Sequence, residues 1–119
     1  MKTISIIAAA LAIAAVAGSA EAHAKLVSAD PKAGGVAEGQ PGSIDLNFNE
    51  AVSGKLSGAK VTDGAGKAVK ASSMLDKSGK ALMVMFDKPL PAGSYKVSWS
   101  AVSSDDGHKT TGAYSFTVK

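Results

Sequence analysis

The chain has 119 residues, a formal charge of +3 and no cysteine. The absence of thiols excludes disulfides, zinc fingers, iron–sulfur clusters and cysteine nucleophiles. All 13 basic residues are Lys, scattered without a run, and aromatics make up 5% of the chain. The bidentate Arg contacts and stacking surfaces used to read nucleic acid are therefore missing, and no nucleic-acid partner is expected.

Residues 1–22 read as a secretory signal peptide. Lys2 gives the positive start, Ile4 to Gly18 a small apolar stretch, and Ala20-Glu21-Ala22 a small-x-small exit. Cleavage after Ala22 makes His23 the first residue of the exported chain. An uncut leader would instead be an anchor, and a cut after Ala20 would deny His23 a free amine. His23 to Lys119 is long enough for one small domain. It shows no repeat or linker, and no apolar run long enough to span a bilayer.

From there the sequence alternates with a period of two, the mark of half-buried strands. A first strand is expected near Ala24–Ser28, closed by Asp30-Pro31 and Gly34-Gly35. Pro41-Gly42 precedes a second, in which Ile44, Leu46 and Phe48 share a face opposite Asp45 and Asn47. Asp63-Gly64-Ala65-Gly66 joins Ala59–Thr62 to Ala68–Ser72, and Ser78-Gly79 introduces Ala81–Phe86. The stretch from Lys88 to Gly93, with two prolines, precedes a long strand over Ser94–Ser103 with Tyr95, Val97, Trp99 and Ala101 on one face. In the last strand Tyr114, Phe116 and Val118 oppose Ser115, Thr117 and Lys119. About seven short strands with frequent turns predict an all-β, seven-stranded Greek-key β-sandwich or barrel.

The chain has two histidines, His23 and His108. A histidine with a free α-amine is a chelating unit, because the amine nitrogen and ring Nδ1 can grip one ion together. His108 ends Asp105-Asp106-Gly107-His108, a loop between the last two strands, and loops at a sandwich end are where sites are built. Asp106 and His108 are two apart, with Gly107 free to turn sharply between them. The expected ligand set is the amine and ring of His23, a carboxylate oxygen of Asp106 and a ring nitrogen of His108. Three nitrogens and one oxygen suit tetragonal Cu(II), although Zn(II) can use the same donors in a tetrahedron. Taken alone, Asp105–His108 is also an ordinary turn. A free α-amine titrates near ~7.7–8.0, so binding should weaken as the solution becomes acidic.

These residues resemble the CopC family of periplasmic copper-resistance proteins. The resemblance runs from His23-Ala24-Lys25-Leu26 and Ser28-Ala29-Asp30-Pro31 through Leu46-Asn47-Phe48-Asn49-Glu50. It is strongest from Pro89 to Trp99, from Val102 to His108, and from Gly112 to Val118. It implies a cupredoxin-like or immunoglobulin-like β-fold holding one Cu(II) ion per chain, with His23, Asp106 and His108 as ligands. Glu50 matches a position that in some members carries a carboxylate near the metal; it is either an outer-shell group or a solvated carboxylate at a strand end. Asp105 is not a matched ligand.

Some members have a second, Cu(I) site in a methionine-rich loop with an added histidine. Here the remaining methionines are Met74, Met83 and Met85 and the chain has no third histidine, so packing is the expected role of Met83 and Met85 and a single-site, Cu(II)-only member is expected. Alternation with Tyr95 and Val97 makes core packing the expected role of Trp99, and the resemblance implies that it lies near enough to report on copper.

The resemblance implies a monomeric periplasmic carrier or buffer that serves copper resistance or homeostasis and is not an enzyme. An inner-membrane CopD-type transporter is the implied partner. One alternative is a copper monooxygenase with an N-terminal histidine, acting on polysaccharide. The short chain, the shortage of aromatics for a flat sugar face and an Asp in a coordination position all weigh against it. The other alternative is a plain exported β-sandwich that binds proteins through its surface.

Overall fold

A computed structural model describes residues 24–119. The expected leader, residues 1–22, and His23 itself lie outside that range. Among the described residues every regular element is a strand. In chain order they are β1 (Leu26–Asp30), β2 (Val36–Ala37), β3 (Ser43–Phe48), β4 (Gly58–Asp63), β5 (Ala71–Leu75), β6 (Ala81–Phe86), β7 (Gly93–Val102) and β8 (Lys109–Val118). They form two four-stranded sheets ordered β1-β3-β6-β5 and β2-β8-β7-β4. The all-β sandwich expected from alternation is the observed architecture. It has one strand more than expected, the two-residue β2, which pairs parallel with the end of β8.

Alternation decides what each strand buries. In β3, Ile44, Leu46 and Phe48 are buried while the residues between them are partly exposed. Leu82, Val84 and Phe86 of β6 do the same beside them. From the opposite sheet, Val61, Tyr95, Val97, Ala101, Phe116 and Val118 complete the core. Each of the Val, Leu, Ile and Phe side chains among these contributes about 1.5–3 kcal/mol through removal from water. Tyr95 and Phe116 stack with ring centroids 5.6 Å apart.

The pairing brings four strand termini to one end of the sandwich. β1 runs antiparallel to β3 with Leu26 opposite Phe48, so β1 begins where β3 ends. β7 runs antiparallel to β8 with Val102 opposite Lys109, so the loop over residues 103–108 closes that hairpin. An isolated bridge between Val52 and Ser103 joins the stretch after β3 to the hairpin loop. The start of the described chain, residues 49–53 and residues 103–110 are thus assembled together.

Candidate metal centre

The hairpin loop is shaped by its own short-range hydrogen bonds. Ser103 N–H donates to the His108 carbonyl at 2.9 Å, and Gly107 N–H donates to the Ser103 carbonyl at 3.0 Å. Gly107 has φ of 73°, a left-handed conformation that costs glycine little and other residues more. Asp106 Oδ1 accepts from the His108 N–H at 3.0 Å, which turns its carboxylate back over the loop. The other oxygen, Oδ2, then stands 3.7 Å from His108 Nδ1. Two donors that each sit about 2 Å from one ion lie about 3–4 Å apart, so this pair is spaced to share a cation. Both side chains are open to solvent, 60% for His108 and 44% for Asp106.

Among the described residues no three His, Asp or Glu side chains stand together as a ligand cluster. His23 lies outside the described residues. What the structure describes is the residue after it. Ala24 is fully buried, and its carbonyl accepts a 2.8 Å hydrogen bond from Thr110 Oγ1, two residues beyond His108. Lys25 is tied to the other sheet: its N–H donates to Asn49 Oδ1 at 2.7 Å and its carbonyl accepts from Asn49 N–H at 3.0 Å. The chain therefore enters the fold at the end that carries Asp106 and His108.

Glu50 reaches the loop from outside. Its Oε1 accepts a 2.5 Å hydrogen bond from Ser103 Oγ. Ser103 is buried, and its Oγ also accepts from Asp105 N–H at 3.4 Å. Ser104 N–H donates to the Ala51 carbonyl at 3.1 Å, and Ser53 N–H to the Val102 carbonyl at 2.8 Å. Glu50 thus braces the base of the loop through a hydroxyl, and Asp105 is an exposed loop residue.

Trp99 packs inward beside this end. Its ring meets Phe48 edge-on, with centroids 5.5 Å apart. It faces Gly112 on β8, where a Cβ would fall 2.5 Å from Trp99 Cζ2. The methionines depart from the packing expectation. Met74 is 57% exposed and Met83 40%, because both occupy outward positions of their strands; Met85 is half-buried.

Residues 26–119 match the family model described as the CopC domain. The chain belongs to the CopC family. It is 42% identical to Copper resistance protein C of Escherichia coli over 112 residues, covering 87% of both proteins. Against Copper resistance protein C of Pseudomonas syringae pv. tomato the identity is 40%, over 87% of this chain and 86% of that one. Among solved structures, PcoC, a methionine-rich copper resistance protein from Escherichia coli, superposes with a TM-score of 0.75 at 41% identity, covering 82% of this chain and 100% of that one. CopC from Methylosinus trichosporium OB3b gives 0.76 at 32% identity, over 82% and 94%. As a CopC-family β-sandwich, the chain is a member of a family of copper-resistance proteins.

Sequence reasoning missed two residues, Ser103 and Thr110. Continuing the Tyr114–Phe116–Val118 face back along β8 places Thr110 inward, and a hydroxyl on a core face signals a buried hydrogen bond.

Proposed function

We propose that the exported protein, residues 23–119 after loss of 1–22, is a periplasmic carrier or buffer of a single Cu(II) ion. The ion would be held by the amine and imidazole of His23, the carboxylate of Asp106 and the imidazole of His108. It serves copper resistance or homeostasis by holding copper and handing it on, and it does no chemistry on a substrate. The observation that carries this reading is the Thr110–Ala24 hydrogen bond. It fixes the residue next to His23 at the loop that presents Asp106 and His108. The 3.7 Å separation of Asp106 Oδ2 and His108 Nδ1 supports a shared cation, and the N/O donor set favours Cu(II). Glu50 acts behind the site through Ser103, as groups that orient metal ligands do. An inner-membrane transporter of CopD type is the proposed recipient, and the carrier works as a monomer.

The test has two steps. Intact mass of the exported protein should give a chain beginning at His23. Titration with Cu(II) should then quench Trp99 emission with an endpoint of one ion per chain. A version with one extra residue before His23 should bind far more weakly. Equal affinity in that version would overturn the ligand set, and oxidised products from polysaccharide with a reductant would restore the enzyme reading.

A further inference from the structure

The two outer faces of the sandwich carry opposite charge. On the β2-β8-β7-β4 sheet the outward positions alternate with the core residues and include Lys60 on β4, Lys96 on β7 and Lys109 on β8, all exposed. Every other outward strand position of that sheet holds Ser, Thr, Gly, Ala or Val, and none holds a carboxylate. Lys60 is directly opposite Ser98, and Lys96 lies two residues along β7 from that serine, so the two lysines are diagonal neighbours. Lys109 stands two rows farther toward the hairpin loop. Among the described residues no ion pair holds any of the three. Carboxylates stand only at the ends of the face, with Asp105 and Asp106 in the hairpin loop, and Asp63 and Glu38 where β4 and β2 finish. The β1-β3-β6-β5 face is the reverse: Asp30 is directly opposite Asp45, and no outward strand position there holds a lysine.

Apolar side chains stand exposed at two corners of the lysine face. The loop before β4 carries Lys55 and Leu56 up to it, where both line one hollow with Lys60, Ser98 and Thr111. Leu56 is 65% exposed. At the far end Val36, 55% exposed, is paired with Thr117 and therefore shares the outward side. Like charges on neighbouring strands repel one another, so an anionic surface laid on this face would relieve a cost that the fold carries alone. The composition also says which kind of surface. Protein–protein interfaces are anchored by aromatic residues, Met and Arg and are depleted in Lys and Ser. Here the outward positions have no aromatic residue, Met or Arg, and Lys and Ser dominate. Compact, mobile ammonium groups beside a few aliphatic side chains suit a diffuse layer of phosphate headgroups over hydrocarbon.

We propose that the outward face of the β2-β8-β7-β4 sheet docks the protein reversibly on an anionic phospholipid bilayer. Lys55, Lys60, Lys96 and Lys109 meet the headgroups, and Leu56 enters the boundary between headgroups and acyl chains. The aspartate-bearing face then points away from the membrane. The docking uses none of the residues assigned to copper and does not depend on that assignment.

Cosedimentation of the metal-free processed protein with vesicles is the test. Vesicles of phosphatidylglycerol and phosphatidylcholine in equal parts should carry the protein down, and vesicles of phosphatidylcholine alone should not. Binding should fall as salt is raised, because salt screens exposed charges. A lysine beside an anionic bilayer is worth about a fivefold change in binding, so Lys60→Gln, Lys96→Gln and Lys109→Gln together should weaken it by about a hundredfold. Lys70→Gln, Lys77→Gln and Lys80→Gln together remove the same charge from exposed positions off this face and should change binding little. Leu56→Asn should weaken binding and leave its salt dependence as it was. All seven positions are exposed, and an unchanged circular dichroism spectrum would verify the fold. Failure to sediment with the anionic vesicles, or equal losses in the two triple variants, would overturn the proposal. So would a salt-sensitive dimer that forms without vesicles and is lost in the Lys60, Lys96 and Lys109 variant, since the face would then belong to the aspartates of a second copy.

Discussion

Thr110 and Ala24 are 86 residues apart, yet the threonine hydroxyl donates a 2.8 Å hydrogen bond to the alanine carbonyl. That bond stitches the start of the described chain onto β8, two residues beyond the loop that carries Asp106 and His108. Thr110→Val keeps the shape and removes the donor, leaving a buried carbonyl without its partner at a cost of about 1–3 kcal/mol. Part of that loss should appear as freedom of the N-terminal residues, weakening Cu(II) binding by about tenfold for each 1.4 kcal/mol transferred to the site. Thr111→Val, at the exposed neighbouring position, should leave both unchanged. Thermal melts and copper titrations on the two variants measure the difference.

The Ser103–Glu50 hydrogen bond makes a separate prediction about the loop. Ser103 is buried and its hydroxyl serves both Glu50 Oε1 and Asp105 N–H. Ser103→Ala removes the brace while leaving the backbone bonds from Ser103 N–H to His108 and from Gly107 N–H to Ser103 in place. The fold should lose about 1–3 kcal/mol, read from urea midpoints. Copper should bind more weakly with its spectrum little changed, because the ligands persist and only their orientation loosens. Loss of the copper spectrum in Glu50→Gln would instead make Glu50 a direct ligand.

The strands that carry the core were legible because their burial is one-sided. Ile44–Leu46–Phe48 and Tyr95–Val97 alternate cleanly, and β3 and β7 lie where alternation puts them. β2 was not legible: Val36–Ala37 is too short to alternate, and its pairing with Thr117 and Val118 is made by a distant segment. The strand expected at Ala68–Ser72 is observed at Ala71–Leu75. Four of its five residues are exposed, so no buried face marks its register, which β6 sets by pairing. At the site, Asp106 and His108 could be paired from sequence because only Gly107 separates them. Ser103 and Thr110 could not, because their partners Glu50 and Ala24 are brought to them only by the sandwich.

Gly112 is a packing requirement of Trp99. A Cβ at this position would lie 2.5 Å from Cζ2 and 2.7 Å from Cε2 of the indole. Gly112→Ala must displace the ring from its edge-on contact with Phe48 or push β8 away from β7. Overpacking of this kind costs about 1–3 kcal/mol. The variant should unfold at lower urea and show shifted Trp99 emission before any copper is added. Unchanged emission would mean that the indole is not held against this strand.

Tyr114 gives the fold a dependence on alkaline pH. Its hydroxyl is buried with no hydrogen-bond partner among the described residues. Burial first, and the negative charge of Asp30 second, push its pKa up to about 12. An unfolded tyrosine ionises near ~10. Below that pH both states hold the proton and the full contribution of the neutral phenol to stability is present. As pH rises toward the folded value the unfolded chain ionises while the folded one resists, so stability falls across that window. Tyr114→Phe removes both the unpaired hydroxyl and this linkage. Near neutral pH it should be more stable by about 1 kcal/mol, and its urea midpoint should fall less between pH ~10 and ~12. Tyr95 supplies the contrast. Its pKa is also raised, by burial and then by Asp63, but its hydroxyl donates to the Pro91 carbonyl at 2.6 Å. Tyr95→Phe should therefore destabilise the protein at neutral pH, so the two substitutions are expected to shift the midpoint in opposite directions.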